Sequence, residues 1–231
     1  MKTNTWSLLL LAAALVSGSY NSFAQVSVGA DIASRYIWRG VDYGNSPSFQ
    51  PGLGFATGSL SVGTWGAYSF AGTGSVFAEH DLWASFDIET SSGTISVLFT
   101  DYYYPSAGLK FFDYSGTGGA HVLEAGIGYA GTEGFPISFK GFFNFHNDPE
   151  QSVYLEVSYP FAVNGTELAL FAGGSPKKSA WYVTQGAALI NVGIAAKKSV
   201  TVTESFALPV SATFIVNPEL EQSYLIFGFS L

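Results

Sequence analysis

Acidic side chains occupy every second position of one segment, Glu79-His80-Asp81-Leu82-Trp83-Ala84-Ser85-Phe86-Asp87-Ile88-Glu89, interrupted at Trp83 and Ser85, with Leu82, Ala84, Phe86 and Ile88 between them. A period of two puts the acids on one face of a strand and the apolar residues on the other. Carboxylates lining a narrow wet passage would draw cations in and keep anions out, because low-dielectric walls concentrate the field. The same parity sets Asp31, Arg35 and Arg39 against Val28, Ile32, Tyr36 and Trp38. It also sets Lys140 and Asn144 against Ile137, Phe139 and Phe143, and Glu156 against Val153, Leu155 and Val157. With Asp101, Glu124 and Glu167, these charges make a strongly acidic inward face. Two outcomes fit it: an open lumen that favours cations, or a filled interior in which Arg35, Arg39 and Lys140 pair with the acids and leave no pore. Arg39 falls near one mouth, where it would either close the first strand onto its neighbours through an ion pair, the plainer expectation, or anchor an inward loop or form a constriction.

Other chemistry finds little support. His80, His121 and His146 are far apart, and parity turns the first two away from the acidic face. A hydrolase at the barrel rim, using His146 with a carboxylate, is conceivable, but no nucleophile motif accompanies it. No three residues have metal-ligand spacing on one face, and the Gly-rich stretches lack a following helix and a phosphate-binding lysine, so no cofactor is expected. The chain has no Cys, which excludes disulfides, thiolate metal sites and a lipid-modified cysteine.

The elements that would position these charges are strands. Alternation and turn residues divide the chain into twelve candidates, at 26–38, 48–57, 60–70, 77–89, 94–103, 120–130, 136–145, 151–159, 166–173, 187–196, 201–216 and 222–231. Most are near the ~9 to 11 residues that a tilted transmembrane strand requires. The connections at 39–47, 71–76, 104–119, 146–150, 174–186 and 217–221 then fall on one side, and Gly58-Ser59, 90–93, 131–135, 160–165 and 197–200 on the other. The long ones share the first side, as in outer-membrane barrels with long external loops and short periplasmic turns. The last strand, with Leu225, Phe227, Phe229 and Leu231 on one face and Tyr224, Ile226, Gly228 and Ser230 on the other, should pair with the first. Twelve strands ~4.8 Å apart with a ~40° tilt give a backbone radius of roughly 12 Å, about half of it taken by side chains. That width passes a small solute at most. Loop 104–119 would lie at the surface, or alternatively cover the mouth or fold inward.

Residues 1–24 read as a cleaved export leader, with Lys2, an apolar run from Leu8 to Val16 and Ser22-Phe23-Ala24 before Gln25. Residues 25–231 are then a single β domain. The chain is 16% aromatic and only 11% charged, which suits apolar residues spread at alternate positions. Its net charge of −8 disfavours nucleic acid as a partner. Tyr36, Trp38, Tyr68, 102–104, Trp181 and Tyr182 collect at one end of the strands, Tyr129 and Tyr159 at the other, as aromatic girdles at two membrane surfaces would.

The segment Ser34-Arg35-Tyr36-Ile37-Trp38-Arg39-Gly40 resembles the start of the bacterial outer-membrane family known as TorF-type porins. The similarity continues through Gln50-Pro51-Gly52-Leu53, Gly63-Thr64-Trp65-Gly66, Glu79-His80-Asp81-Leu82 and Tyr102-Tyr103-Tyr104-Pro105. The resemblance implies an outer-membrane β-barrel and a pore, and carries no catalytic residues. Together these readings lead to a twelve-stranded antiparallel barrel in the outer membrane with both termini periplasmic. It is expected to act without catalysis as a passive channel for small cationic or neutral solutes, lined by Asp31, Arg35, Arg39, Glu79, Asp81, Asp87, Glu89, Glu124, Lys140, Glu156 and Glu167. A closed structural or surface-binding barrel is the competing class.

Overall fold

Alternating side chains broken by short polar turns favour strands. The computed structural model describes residues 24–71 and 78–231 and consists almost wholly of them. In chain order they are β1 Gln25–Ala33, β2 Ile37–Trp38, β3 Val41–Asp42, β4 Ser48–Thr57, β5 Leu60–Ser69, β6 Ala78–Thr90 and β7 Gly93–Tyr103. There follow β8 His121–Gly131, β9 Ser138–His146, β10 Val153–Val163, β11 Thr166–Ser175, β12 Ala188–Thr203, β13 Phe206–Asn217 and β14 Gln222–Ser230. β1 and β4 to β14 close into a twelve-stranded barrel, while β2 and β3 form a separate hairpin. Closure is antiparallel, with Asp31, Ile32 and Ala33 opposite Ser230, Phe229 and Gly228. Pairing at this seam is short, confined to these residues with Ala30 bonded to Leu231 and Ser34 to Phe227 on either side.

The outer wall is apolar: Val28, Leu53, Leu82, Phe86, Val97, Ile127, Leu155, Leu225 and Phe227 are all exposed. The polar residues alternate with them and face the lumen. The start of β1, the end of β14 and the connections at 58–59, 91–92, 132–137, 164–165 and 204–205 lie at one end, the terminus end. The connections at 34–47, 104–120, 147–152, 176–187 and 218–221, among them the longest of the described residues, lie at the other, the loop end, where β5 also ends and β6 begins.

Twelve strands and the grouping of long loops match expectation, but three boundaries differ. The first strand was expected to reach Trp38, yet the chain leaves the wall after Ser34, whose amide donates to the Phe227 carbonyl at 2.8 Å. The turn expected at 197–200 sits at 204–205, so Lys197 belongs to β12 and faces the lumen directly opposite Glu167. β10 runs on through Pro160 to Val163. The leader expectation lies outside the described residues, as does most of the connection expected at 71–76.

Candidate functional site

Ile37 pairs with Asp42 and Trp38 with Val41, leaving Arg39-Gly40 as a two-residue turn. Both turn residues have positive φ, 50° and 82°, the requirement of the hairpin turn whose twist matches its strands. Only glycine fits the second position, since a Cβ there would sit 1.9 Å from the Ile190 carbonyl oxygen of β12. The Asn217 side chain of β13 donates to the Gly40 carbonyl at 2.9 Å. The hairpin therefore folds into the lumen with its tip against the inner wall.

Arg39 fastens it. Its two terminal nitrogens donate to the Glu124 carboxylate of β8 at 2.5 and 2.8 Å, and one of them also to the Tyr182 hydroxyl at 2.6 Å. The guanidinium carbon lies 4.0, 4.4 and 4.8 Å from the ring centres of Phe142, Trp38 and Tyr154. The Arg39 side chain is 10% exposed and that of Glu124 1%. A buried ion pair offsets its desolvation only when the remaining donors and acceptors are also engaged, and here two N–H bonds, a phenol and aromatic faces engage them. Burial pulls the Arg39 pKa down, but the hydrogen bond and charge of Glu124 outweigh it, so the net direction is up. In the barrel order β8 is five strands from β1, so this contact spans the lumen. An ion pair was the expectation for Arg39, but with strands next to β1; departure of the chain from the wall at Ser34 carries it across instead.

Aromatic residues fill the space around the clamp. Tyr182, from the connection after β11, is fully buried and stacks on Trp38 with ring centres 5.4 Å apart. The Tyr43 hydroxyl donates to the Trp181 carbonyl at 2.6 Å, which binds the hairpin to that connection. Tyr102 donates to Glu124 at 2.9 Å and Tyr154 to Glu156 at 2.7 Å. Tyr36 packs on Trp65 of β5, 5.5 Å between ring centres, near Glu79. Tyr36, Trp38, Tyr102 and Tyr182, expected in a girdle on the outer wall, are thus the packing of an internal plug. Tyr68, Tyr103, Tyr129 and Tyr159 do lie on the outer wall.

The residues expected to line the lumen fall into three groups. Glu79, Asp81 and Glu124 are buried inside the plugged loop half, and Glu156 forms its floor. Asp31, Glu89, Lys140 and Glu167 are exposed, and Asp87 partly so, on the inner face of the terminus half. Asp31 and Glu167 line a cavity of about 600 Å³ there together with Gln50, Lys197 and Ser199. Sequence reasoning misses Lys197 because Lys197-Lys198 reads as part of a turn. Arg35 stands apart: it lies beyond the end of β1 at the rim, half-exposed, pairing with Asp42 and donating to Asn45 at 2.6 Å, so it is not a lumen residue.

Asp101 also departs from expectation. It is level with the outward Leu82 of β6 and so faces outward, among the apolar side chains of the wall. It is sustained by His121 of β8, whose Nδ1 lies 2.7 Å away, and by the Tyr114 hydroxyl, which donates at 2.8 Å. Nε2 of His121 donates to the Phe111 carbonyl. His121 therefore faces away from the lumen as expected, but beneath loop 104–120 rather than exposed.

His146 Nε2 has no hydrogen-bond partner among the described residues. The Asp148 carboxylate instead accepts from the Asn144 side chain at 3.1 Å and from the amides of Glu150 and Ser152 at 3.0 and 2.8 Å. It organises its own turn. Among the described residues no three potential metal-ligating side chains gather. What the lumen can do chemically is hold acidic and basic groups: buried in one half, where Glu124 meets Arg39 while Glu79 and Asp81 have no cation partner among the described residues, and exposed in the other.

A family model of bacterial proteins of unknown function, Gcw_chp, matches residues 18–206. The chain belongs to that family. The match covers the plug hairpin and β1 to the start of β13, and so the site just described. A comparison with curated proteins found no match.

Proposed function

We propose that this protein is an outer-membrane barrel, exported by a cleaved leader, that serves as a small-solute channel held shut at its extracellular end by the Arg39 hairpin. An apolar outer wall on a closed antiparallel barrel suits lipid as its solvent, because the strands pair with one another around the barrel and greasy side chains face out. Short turns and both termini at one end suit a periplasmic location for that end. The resemblance to TorF-type porins supports the same reading. The observation that carries it is the Arg39–Glu124 clamp across the lumen, above a charged vestibule. The vestibule would face the periplasm and, with acids outnumbering bases, would favour cationic or neutral solutes whenever the hairpin moves aside. Lipid and small solutes are the partners, nucleic acid is not, and the protein performs no catalysis.

Conductance in planar bilayers tests this reading. The wild type should be mostly silent with brief cation-preferring openings, and Arg39→Ala should stay open for longer. An Arg39→Ala protein as silent as the wild type, or one selecting anions, would overturn it. A second reading, a permanently closed structural barrel, draws on the complete burial of Tyr182 and Ile190. It expects a wild type that never opens even though Arg39→Ala conducts.

A further inference from the structure

The connection between β7 and β8 sends only its first residue, Tyr104, toward the plug, where it stacks on Trp181 with ring centres 5.8 Å apart. The rest folds back over the outer wall. Phe111 shares a groove of about 500 Å³ with Val28, Leu53 and Leu82, all wall residues, and with His121 beneath it. The loop is held there from several sides. Phe111 takes a hydrogen bond from His121, Tyr114 stacks on that imidazole with ring centres 3.8 Å apart and donates to Asp101, and Asn147 donates to the Gly119 carbonyl at 2.8 Å. Both ring nitrogens of His121 thus face oxygen atoms, a carboxylate on one side and a carbonyl on the other. The polar group of the wall is thereby sealed under an ordered cover.

The far side of that cover is apolar. Leu109 and Phe112 are exposed there, Phe112 to 88%, beside an exposed Lys110. A large aromatic residue so open on a fixed loop wants an apolar neighbour, and the surface continuous with it is the wall itself. We propose that loop 104–120 is a membrane-inserting foot. Phe112 and Leu109 would enter the boundary between headgroups and acyl chains of the outer leaflet, with Lys110 at the level of the lipid phosphates. Aromatic rings with an adjacent cation suit that boundary, where one end is apolar and the other wet. The proposal rests on the outer-membrane reading, and it assigns to the loop a lipid surface rather than a solute or a protein.

Because the chain has no native cysteine, single nitroxide labels can be placed by Phe112→Cys, Val97→Cys and Glu219→Cys in full-length protein. The proteins would be reconstituted in vesicles of phosphatidylcholine with phosphatidylglycerol, and collision with oxygen compared with collision with a water-soluble nickel chelate. The label at position 97, on the wall, should be oxygen-dominated, and that at position 219, at the loop end, chelate-dominated. The proposal expects the label at position 112 to follow the one at 97. A label at 112 that follows the one at 219, while that at 97 remains in lipid, would overturn the foot and leave the membrane reading intact. Chelate-dominated labels at both 112 and 97 would overturn the membrane reading, and the foot with it.

Discussion

The two halves of the lumen are built from the same alternation and behave as different media. In the loop half, Glu79, Asp81 and Glu124 are buried among Tyr36, Trp38, Tyr102 and Tyr182, with Arg39 brought in from a hairpin to meet Glu124. In the terminus half, Asp31, Glu89, Lys140, Glu167 and Lys197 stand exposed on the inner wall. Inward parity therefore says which way a charge points but not whether water reaches it. Water is excluded by what two connections, 34–47 and 176–187, fold into the barrel. A charge in the first half is tied to structure, and one in the second, in the channel proposed above, would act on passing ions.

That contrast can be broken most severely at Arg39. Arg39→Ala should cost about 3–5 kcal/mol, because it leaves Glu124 buried without its partner. Denaturant unfolding in detergent measures the loss. Adding Glu124→Ala to the same protein should cost much less than it does alone; additive losses would mean that the two side chains do not act as a pair. Gly40→Ala comes next. Its left-handed φ alone costs about 1–2 kcal/mol, and the added methyl would strike the Ile190 carbonyl, so the tip should be displaced and tryptophan emission should shift to the red.

In the vestibule the effects should be small on stability and visible in ion flow. Glu167→Gln should change unfolding by less than ~1 kcal/mol, as exposed charges usually do. Combined with Arg39→Ala, it should bring the reversal potential under a salt gradient closer to zero. The smallest effect concerns Glu150, whose carboxylate is held below its ordinary value by hydrogen bonds from Lys178 and from the Ala180 amide. A lowered folded pKa gives a contribution that is complete above the ordinary value of 4.5 and lost as pH falls through the folded one. The protection of the Ala180 amide, its exchange compared with that of an unstructured amide at the same pH, should accordingly fall only below about pH 4.5. An unprotected Ala180 amide already at neutral pH would remove Glu150 from that role.

The wall of the barrel could be read from alternation because each strand carries its own pattern. Glu79 to Glu89 is the clearest case, where acids and apolar residues keep strict parity and the strand lies as expected. The plug could not be read in this way. Tyr36 and Trp38 continue the alternation of β1 past its end, and Arg39-Gly40 lacks the Asn or Asp that usually marks a tight hairpin turn. The glycine after Arg39, between Trp38 and Val41, was the one local sign. Which wall the hairpin reaches depends on Glu124, 85 residues away, and no period contains that. Asp101 was misread for a related reason. Its outward position makes sense only with His121 and Tyr114 covering it, and the loop that brings Tyr114 there has no periodicity.

The central claim is that one lumen has a dry half and a wet half, and thiol labelling tests it with two conservative substitutions in a chain free of cysteine. Ser48→Cys lies on β4 in the plugged half, where Ser48 is 1% exposed, and Ser199→Cys lies on β12 in the vestibule. A bulky, charged maleimide added to the folded protein should modify the thiol at position 199 at nearly the rate of a free thiol. It should leave the thiol at position 48 unmodified until the protein is unfolded or Arg39 is replaced. Equal, rapid modification at both positions in the otherwise unaltered protein would mean a continuous open lumen and would contradict the account.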